Sequence, residues 1–206
     1  MISDECLVSK MAEGDEAAFE TLVRRYHAPI QIYAERMLRD RKRAEDVAQE
    51  TFLRLIKQVQ EGRTPSQIRP WLYKVAGNQC RDWFRRSSVK LEQTTDTIGE
   101  YMESDDSQQG ASVLQLVEHQ ETRKELLQTL QDLTDSQREI VILRFYHDLK
   151  LDEIAVSTGH SLSAVKSHLY AGLKSLKKKM IRSAQQNELH SDMKNKRKEE
   201  WTHVSK

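Results

Sequence analysis

Apolar residues recur along most of the chain at steps of three and four, the period of a helix with one buried stripe. From Asp15 to about Leu38 the stripe is Phe19, Leu22, Val23, Tyr26, Ile30, Tyr33 and Met37; Pro29, set inside it, predicts a kink or a division into two helices. Ahead of it, Met1 to Glu13 holds one or two amphipathic turns through Cys6, Leu7 and Met11. A basic joint, Arg39 to Arg43, leads to a helix over about Ala44 to Gln60, and a loop, Glu61 to Ser66, leads to another that starts near Pro70. Helix resumes from about Val113 to Leu130, and Leu133-Thr134-Asp135-Ser136-Gln137-Arg138-Glu139 offers a cap for one more through Ile140, Val141, Leu143, Phe145 and Tyr146. No strand-like alternation competes, so the expected fold is all-α.

One stretch has a more specific spacing. Leu151-Asp152-Glu153-Ile154-Ala155-Val156-Ser157-Thr158-Gly159 is a short helix with a glycine stop; after a break at His160-Ser161 a second helix opens with Leu162-Ser163-Ala164-Val165-Lys166-Ser167-His168-Leu169-Tyr170. Ala155 falls where two helices must approach closely, Gly159 where the chain can take positive φ, Val165 where the second helix is pinned to the first, and Ser161 at its cap. This is the spacing of a helix-turn-helix. On a wheel of about 100° per residue, Leu162, Val165, Leu169, Leu173 and Leu176 share one side, and Ser163, Lys166, Ser167, Tyr170 and Lys174 the other. Between Leu162 and Arg182 stand Lys166, Lys174, Lys177, Lys178, Lys179 and Arg182, with no acidic residue. Such a helix suits a major groove, short polar side chains meeting base edges and lysines meeting phosphates.

Composition changes the picture mainly through where charge falls. Formal net charge is +1, yet 32% of the residues are charged. Three prolines and seven glycines favour helix almost throughout. The two cysteines, Cys6 and Cys80, are too few for a disulfide framework or a zinc site and fit a reducing cytosol. No apolar run reaches the roughly 20 residues that span a bilayer, and no signal peptide is seen, so a cytoplasmic protein without membrane insertion is expected. Between Glu92 and Gln109 the charges are all acidic (Glu92, Asp96, Glu100, Glu103, Asp105, Asp106), which reads as a flexible linker between two small helical domains. The expected boundaries are 1–91, linker 92–112, second domain 113–183 and a polar, disordered tail 184–206.

Two further faces carry candidate chemistry. In the helix over 44–60, Ala48, Phe52, Leu55, Ile56 and Val59 point inward. Asp46, Gln49, Glu50, Leu53 and Lys57 fall opposite, an acidic and amide patch around an apolar knob. That face is either a docking site for a basic partner or a solvated surface with an ordinary exposed leucine. Asp46 and Glu50 lack the third ligand or histidine that a metal or acid–base site would require. From Arg63 to Lys90 the charged residues are Arg63, Arg69, Lys74, Arg81, Arg85, Arg86 and Lys90 against Asp82 alone. Interleaved with Trp71, Tyr73, Trp83 and Phe84, they compose a surface that tracks phosphates and stacks unpaired bases. Trp71 and Phe84 also suit a core position, which leaves the basic residues and Asn78 as the better contacts.

Four motifs in order then resemble the RNA polymerase sigma factors of the extracytoplasmic-function type, in the sigma-70 family. They are Gly14-Asp15-Glu16-Ala17-Ala18-Phe19 with Leu22 and Tyr26; Ala44-Glu45-Asp46-Val47-Ala48-Gln49-Glu50-Thr51-Phe52; Pro70 to Asn78 with Arg81 to Arg86; and Leu133 to Leu176. The resemblance implies sigma domain 2, then sigma domain 4 with the helix-turn-helix, joined by the acidic linker. It implies contact of Asp46, Gln49, Glu50, Phe52 and Leu53 with core polymerase, through the β′ clamp helices, and of domain 4 with the β flap. It assigns Arg63, Trp71, Lys74, Asn78, Arg81, Arg85 and Arg86 to recognition and melting of the −10 element, with the loop from Glu61 to Ser66 capturing a flipped base. Ser163, Lys166, Ser167, Tyr170 and Lys174 fall to the −35 element. Promoter DNA and an anti-sigma factor are the further partners implied; no cofactor, metal or catalytic residue is. Departures are His168 and Ala171, where arginines are usual, and Gly77, where a larger residue is usual. Two rivals remain on the residues alone: a dimeric helix-turn-helix regulator, and a metal-dependent enzyme acting on nucleic acid.

Overall fold

A computed structural model describes residues 2–93, 130, 132–179 and 181 of the chain. The expected linker beyond residue 93, the helix expected over 113–129 and the tail from 184 lie outside the described residues. Within them are seven helices and no strand: α1 (Asp4–Ala12), α2 (Glu16–Leu38), α3 (Arg41–Gln60), α4 (Ile68–Gln93), α5 (Asp135–Phe145), α6 (Leu151–Thr158) and α7 (162–179).

Local chemistry sets most of the boundaries. Ser3, Asp15 and Asp40 each accept a hydrogen bond from the backbone N–H three residues on, which satisfies one of the open donors of α1, α2 and α3. The cap at Asp40 starts α3 three residues before the expected position. Thr134 and Gln137 form a reciprocal capping box at the head of α5. Gly159 ends α6 at φ 73°, and the Ser161 hydroxyl accepts from the Ala164 N–H at 3.2 Å to open α7.

Pro29 does not divide α2, which runs unbroken through it. Proline removes one backbone bond at a cost of about 3 kcal/mol. Against that, Leu22, Ile30, Tyr33, Ala34 and Met37 are all buried on one stripe, each large side chain contributing roughly 1.5–3 kcal/mol. Packing wins, and the helix continues.

Helices α1, α2 and α3 pack together, and α4 lies against α2 and α3. The C-terminal helices dock on this group, α5 against α2 and α6 along α4, so that Leu72, Ile140, Leu143 and Leu149 belong to one continuous apolar core. Helix α7 lies outermost. Of its expected apolar stripe Val165 is buried and Leu169 and Leu176 are partly so, whereas Leu162 and Leu173 stay exposed at 43% and 39%. The contact line runs through Gly172, where an added Cβ would meet Val141 at 3.2 Å. Leu162 and Leu173 stand roughly 50 to 70° to one side of that line.

The junction between the two groups of helices is aromatic and polar. His147, in the turn after α5, is buried; its Nδ1 lies 2.9 Å from the Tyr73 hydroxyl, and its carbonyl accepts from the Arg69 guanidinium. Tyr33 and Tyr73 flank the ring at centroid distances of 5.8 and 5.0 Å. Burial, followed by the charges of Arg36 and Arg69, pushes the imidazole down to about 4. The unfolded chain takes up a proton below about pH 6.5 that the folded chain refuses until about pH 4. Its contribution to stability is therefore complete above that range and falls away as pH drops. Denaturant titration is expected to show a loss of roughly 2 kcal/mol between about pH 7.5 and pH 5 from this residue. His147→Gln, which keeps a partner for Tyr73 and cannot titrate, is expected to flatten that slope, measured in parallel.

Candidate protein and nucleic-acid interfaces

The outward face of α3 is built by its own packing. Ala48, Phe52, Leu55 and Val59 are buried, which turns Asp46, Gln49, Glu50 and Leu53 to the other side. Asp46 and Gln49 are exposed and Glu50 half-buried, while Leu53 is 60% exposed beside them. Glu50 pairs with Arg54 at 2.8 Å and the Gln49 amide donates to Glu45 at 3.3 Å. Pairs so exposed contribute little to stability and break readily for a competing partner. Phe52 departs from its expected place in this patch. It is 5% exposed, with Phe19 edge-on and His27 stacked at centroid distances of 6.3 and 6.1 Å, so it supports the surface from beneath without reaching it.

Helix α4 carries the second surface. Leu72, Ala76 and Cys80 are buried along one side. Trp71, Lys74 and Asn78 face the C-terminal end of α3 and the loop after it. Together with Arg63, Arg54 and Lys57 they line a cleft of about 370 Å³. Four of the residues expected to meet the −10 element, Arg63, Trp71, Lys74 and Asn78, are thus brought together. Arg54, Lys57 and Gln58 join them unforeseen, although their spacing of three and four residues along α3 marks a common face. A half-buried indole beside basic and amide side chains can stack a base and hold its phosphate.

Arg85 and Arg86 lie exposed beyond the cleft, Arg85 paired with Asp82 at 2.8 Å. Arg81 does not line it but borders it. Its guanidinium donates to Glu139 at 2.6 Å, and to the Asn78 side chain at 2.6 Å. Burial opposes its charge, but the Glu139 carboxylate outweighs that and holds the group above its usual range. Tyr73, read in the sequence as part of the nucleic-acid surface, is 2% exposed and belongs to the junction instead. Burial, then Glu139, pushes the Cys80 thiol up to about 12, which leaves it without thiolate chemistry.

The third surface is α7. Ser163, Lys166, Ser167, Tyr170 and Lys174 are all exposed on one stripe, with Tyr170 at 73%. His168, where a phosphate-anchoring arginine was looked for, is partly buried with its ring 5.3 Å from that of His160. Among the described residues no group of three or more His, Cys, Asp or Glu is placed to hold a metal ion, and no helix is long and apolar enough to cross a membrane.

A family model described as Sigma-70 region 2 matches residues 22–89, and one described as Sigma-70, region 4 matches 123–176. The chain is 32% identical over 173 residues to the RNA polymerase sigma factor YlaC of Bacillus subtilis, covering 84% of this chain and 97% of that protein. To the ECF RNA polymerase sigma factor SigX of the same organism it is 28% identical over 165 residues, covering 80% and 84%. Its fold is similar to that of the sigma factor RpoE solved in complex with the anti-sigma factor NepR from Bartonella quintana. The TM-score is 0.63 at 18% identity, covering 78% of this chain and 94% of that one.

The split across α3 gives a measurable expectation. Phe52→Ala is expected to cost about 3–5 kcal/mol of folding stability, and Leu53→Ala less than about 0.5 kcal/mol. Thermal and denaturant unfolding of the two variants check it; equal losses would contradict the burial of Phe52.

Proposed function

Because the chain belongs to the extracytoplasmic-function type of RNA polymerase sigma factor in the sigma-70 family, we propose that its three surfaces divide the work of promoter-specific initiation. A sigma factor binds core polymerase and directs it to chosen promoters. In this chain the observation that carries the division of labour is the cleft of α3 and α4, where Trp71 and Asn78 stand among Arg54, Lys57, Arg63 and Lys74. There the −10 element is read and held open. Unstacking a base step costs a few kcal/mol, which stacking on Trp71 and phosphate contacts to the basic residues offset.

The face of Asp46, Gln49, Glu50 and Leu53 docks on core polymerase, at the β′ clamp helices, with an exposed leucine as its apolar anchor. The stripe Ser163, Lys166, Ser167, Tyr170 and Lys174 enters the major groove at the −35 element. Residues 1–91 and 113–183 form the two domains, domain 4 meeting the β flap. The protein works in the cytoplasm, has no catalytic chemistry of its own, and takes an anti-sigma factor as a partner, as the Bartonella quintana sigma factor does.

Glu50→Lys reverses a charge on an exposed position, so helical content is expected to stay unchanged while core polymerase no longer co-purifies; normal capture of polymerase would remove this face from docking. For Lys166→Ala, promoter binding titrated against salt is expected to weaken, its log–log slope shrinking by about 0.9, one phosphate contact. An unchanged slope would remove Lys166 from the phosphate contacts.

A further inference from the structure

Resting on the reading just given, we propose that the basic joint at the head of α3 and the end of α4 form a further DNA surface, where Arg41, Lys42, Arg43, Arg85 and Arg86 hold phosphates of intact duplex on the −35 side of the −10 element. The joint stands out by its place in the helix. Arg41, Lys42 and Arg43 open α3, whose first turn has no acidic residue, whereas α1, α2, α5 and α6 each open with one or two carboxylates. Cations at a helix N-terminus oppose the macrodipole and cost stability. Arg41 and Lys42 are fully on the surface, so no burial offsets that cost. A local rule broken at exposed positions points to a task outside the fold.

The fold brings these cations to one corner. Helices α3 and α4 run antiparallel: the Gln79 amide donates to the Thr51 hydroxyl at 3.2 Å, and the Arg43 guanidinium lies 4.5 Å from the centre of the Trp83 ring. Helix α4 continues past Trp83 to Gln93 and so overhangs the head of α3, with Arg85 and Arg86 exposed at the start of the overhang. Side chains of a helix lean toward its N-terminus, which aims Arg41 and Lys42 off the same end. Two carboxylates share the corner and both are taken, Asp40 by Arg43 at 2.7 Å and Asp82 by Arg85 at 2.8 Å. Positive charge stays in excess there. Glu45 and Asp46, exposed on the next turn of α3, begin the acidic face.

What the corner offers is charge without a stacking platform. Trp83 packs on the core, with Arg43 over its ring and Phe84 edge-on at 5.3 Å, so the outward groups are guanidinium and ammonium. Such groups meet backbone phosphates whatever the base sequence. The cleft at the other end of α4, lined by the half-buried Trp71, is the part suited to unpaired bases. Direction follows from the chain. The residues after α4 lead to α7, the reader of the −35 element, so the end of α4 faces the duplex between the two elements. At about 1.5 Å per residue Arg86 lies roughly 22 Å from Trp71 along the helix, about six base pairs of B-form DNA.

The test uses the full chain with core polymerase and two probes cut from a promoter that the pair transcribes. One is a fork junction, duplex upstream of the −10 element and single-stranded across it; the other is the same strand without its complement. Arg41→Ala with Lys42→Ala is expected to weaken fork-junction binding about tenfold and to shrink its log–log salt slope by about 1.8, two phosphate contacts. Binding of the single strand is expected to stay unchanged, and the loss to be the same on a scrambled upstream duplex. Equal losses on both probes would place the residues in the cleft and overturn the duplex assignment; no loss on either would overturn the surface. Reduced capture of core polymerase would assign the pair to docking and overturn it as well. Because the substitutions remove cations from the positive end of a helix, the unfolding temperature is expected to rise while binding falls; a fall in both would make the role structural. Failure of the unmutated chain to support initiation would instead strike the sigma reading. The surface is then decided by the free chain on a mixed-sequence duplex, where the same loss of slope is expected and an unchanged slope would overturn it.

Discussion

Helix α4 buries Leu72, Ala76 and Cys80 along one side, and that burial orients every other residue on it. Trp71, Lys74 and Asn78 then have only one direction left, toward α3 and the loop after it, where they meet Arg54 and Arg63. On the adjoining side Tyr73, Gly77 and Arg81 meet the C-terminal helices. A single helix thus serves as core, as one wall of the basic cleft and as the seat of the other half of the molecule. Its apolar stripe keeps the three roles apart.

Charge is distributed with the same economy. A formal balance of +1 conceals an acidic face on α3 and basic surfaces on α4 and α7. The separation gives one small protein surfaces of opposite sign. The internal pair of Arg81 and Glu139 is of another kind. It joins elements far apart in sequence and satisfies a carboxylate that is only 3% exposed, so removing the arginine would leave a buried charge unpaired.

Features set by nearby residues were legible in the sequence. The turn at Gly159, the cap at Ser161 and the basic stripe of α7 follow from spacing alone, and all reappear in the fold. The inward residues of α3 were legible for the same reason; Phe52 was placed both in the core and in the docking motif, and the fold keeps only the first. What depended on distant partners was not legible. Tyr73 looks like one more aromatic in a basic stretch until His147 and Tyr33 close around it. Glu139 reads as a polar residue at the head of a helix, and nothing local says that it will be buried beside Gly77. The oddity of Gly77 was visible early, but its cause lies on another helix. Of the kink or division expected at Pro29, the division does not occur, because packing overrides the local penalty.

The most direct test of the account is run-off transcription with purified core polymerase on a library of randomised promoters, with and without this protein. Enriched initiation from templates that share two short elements at a fixed spacing, only when the protein is present, is the expected result. Absence of polymerase-dependent initiation, together with protection of duplex DNA by the protein alone, would contradict it and reduce the face of Asp46 and Glu50 to an ordinary solvated helix surface.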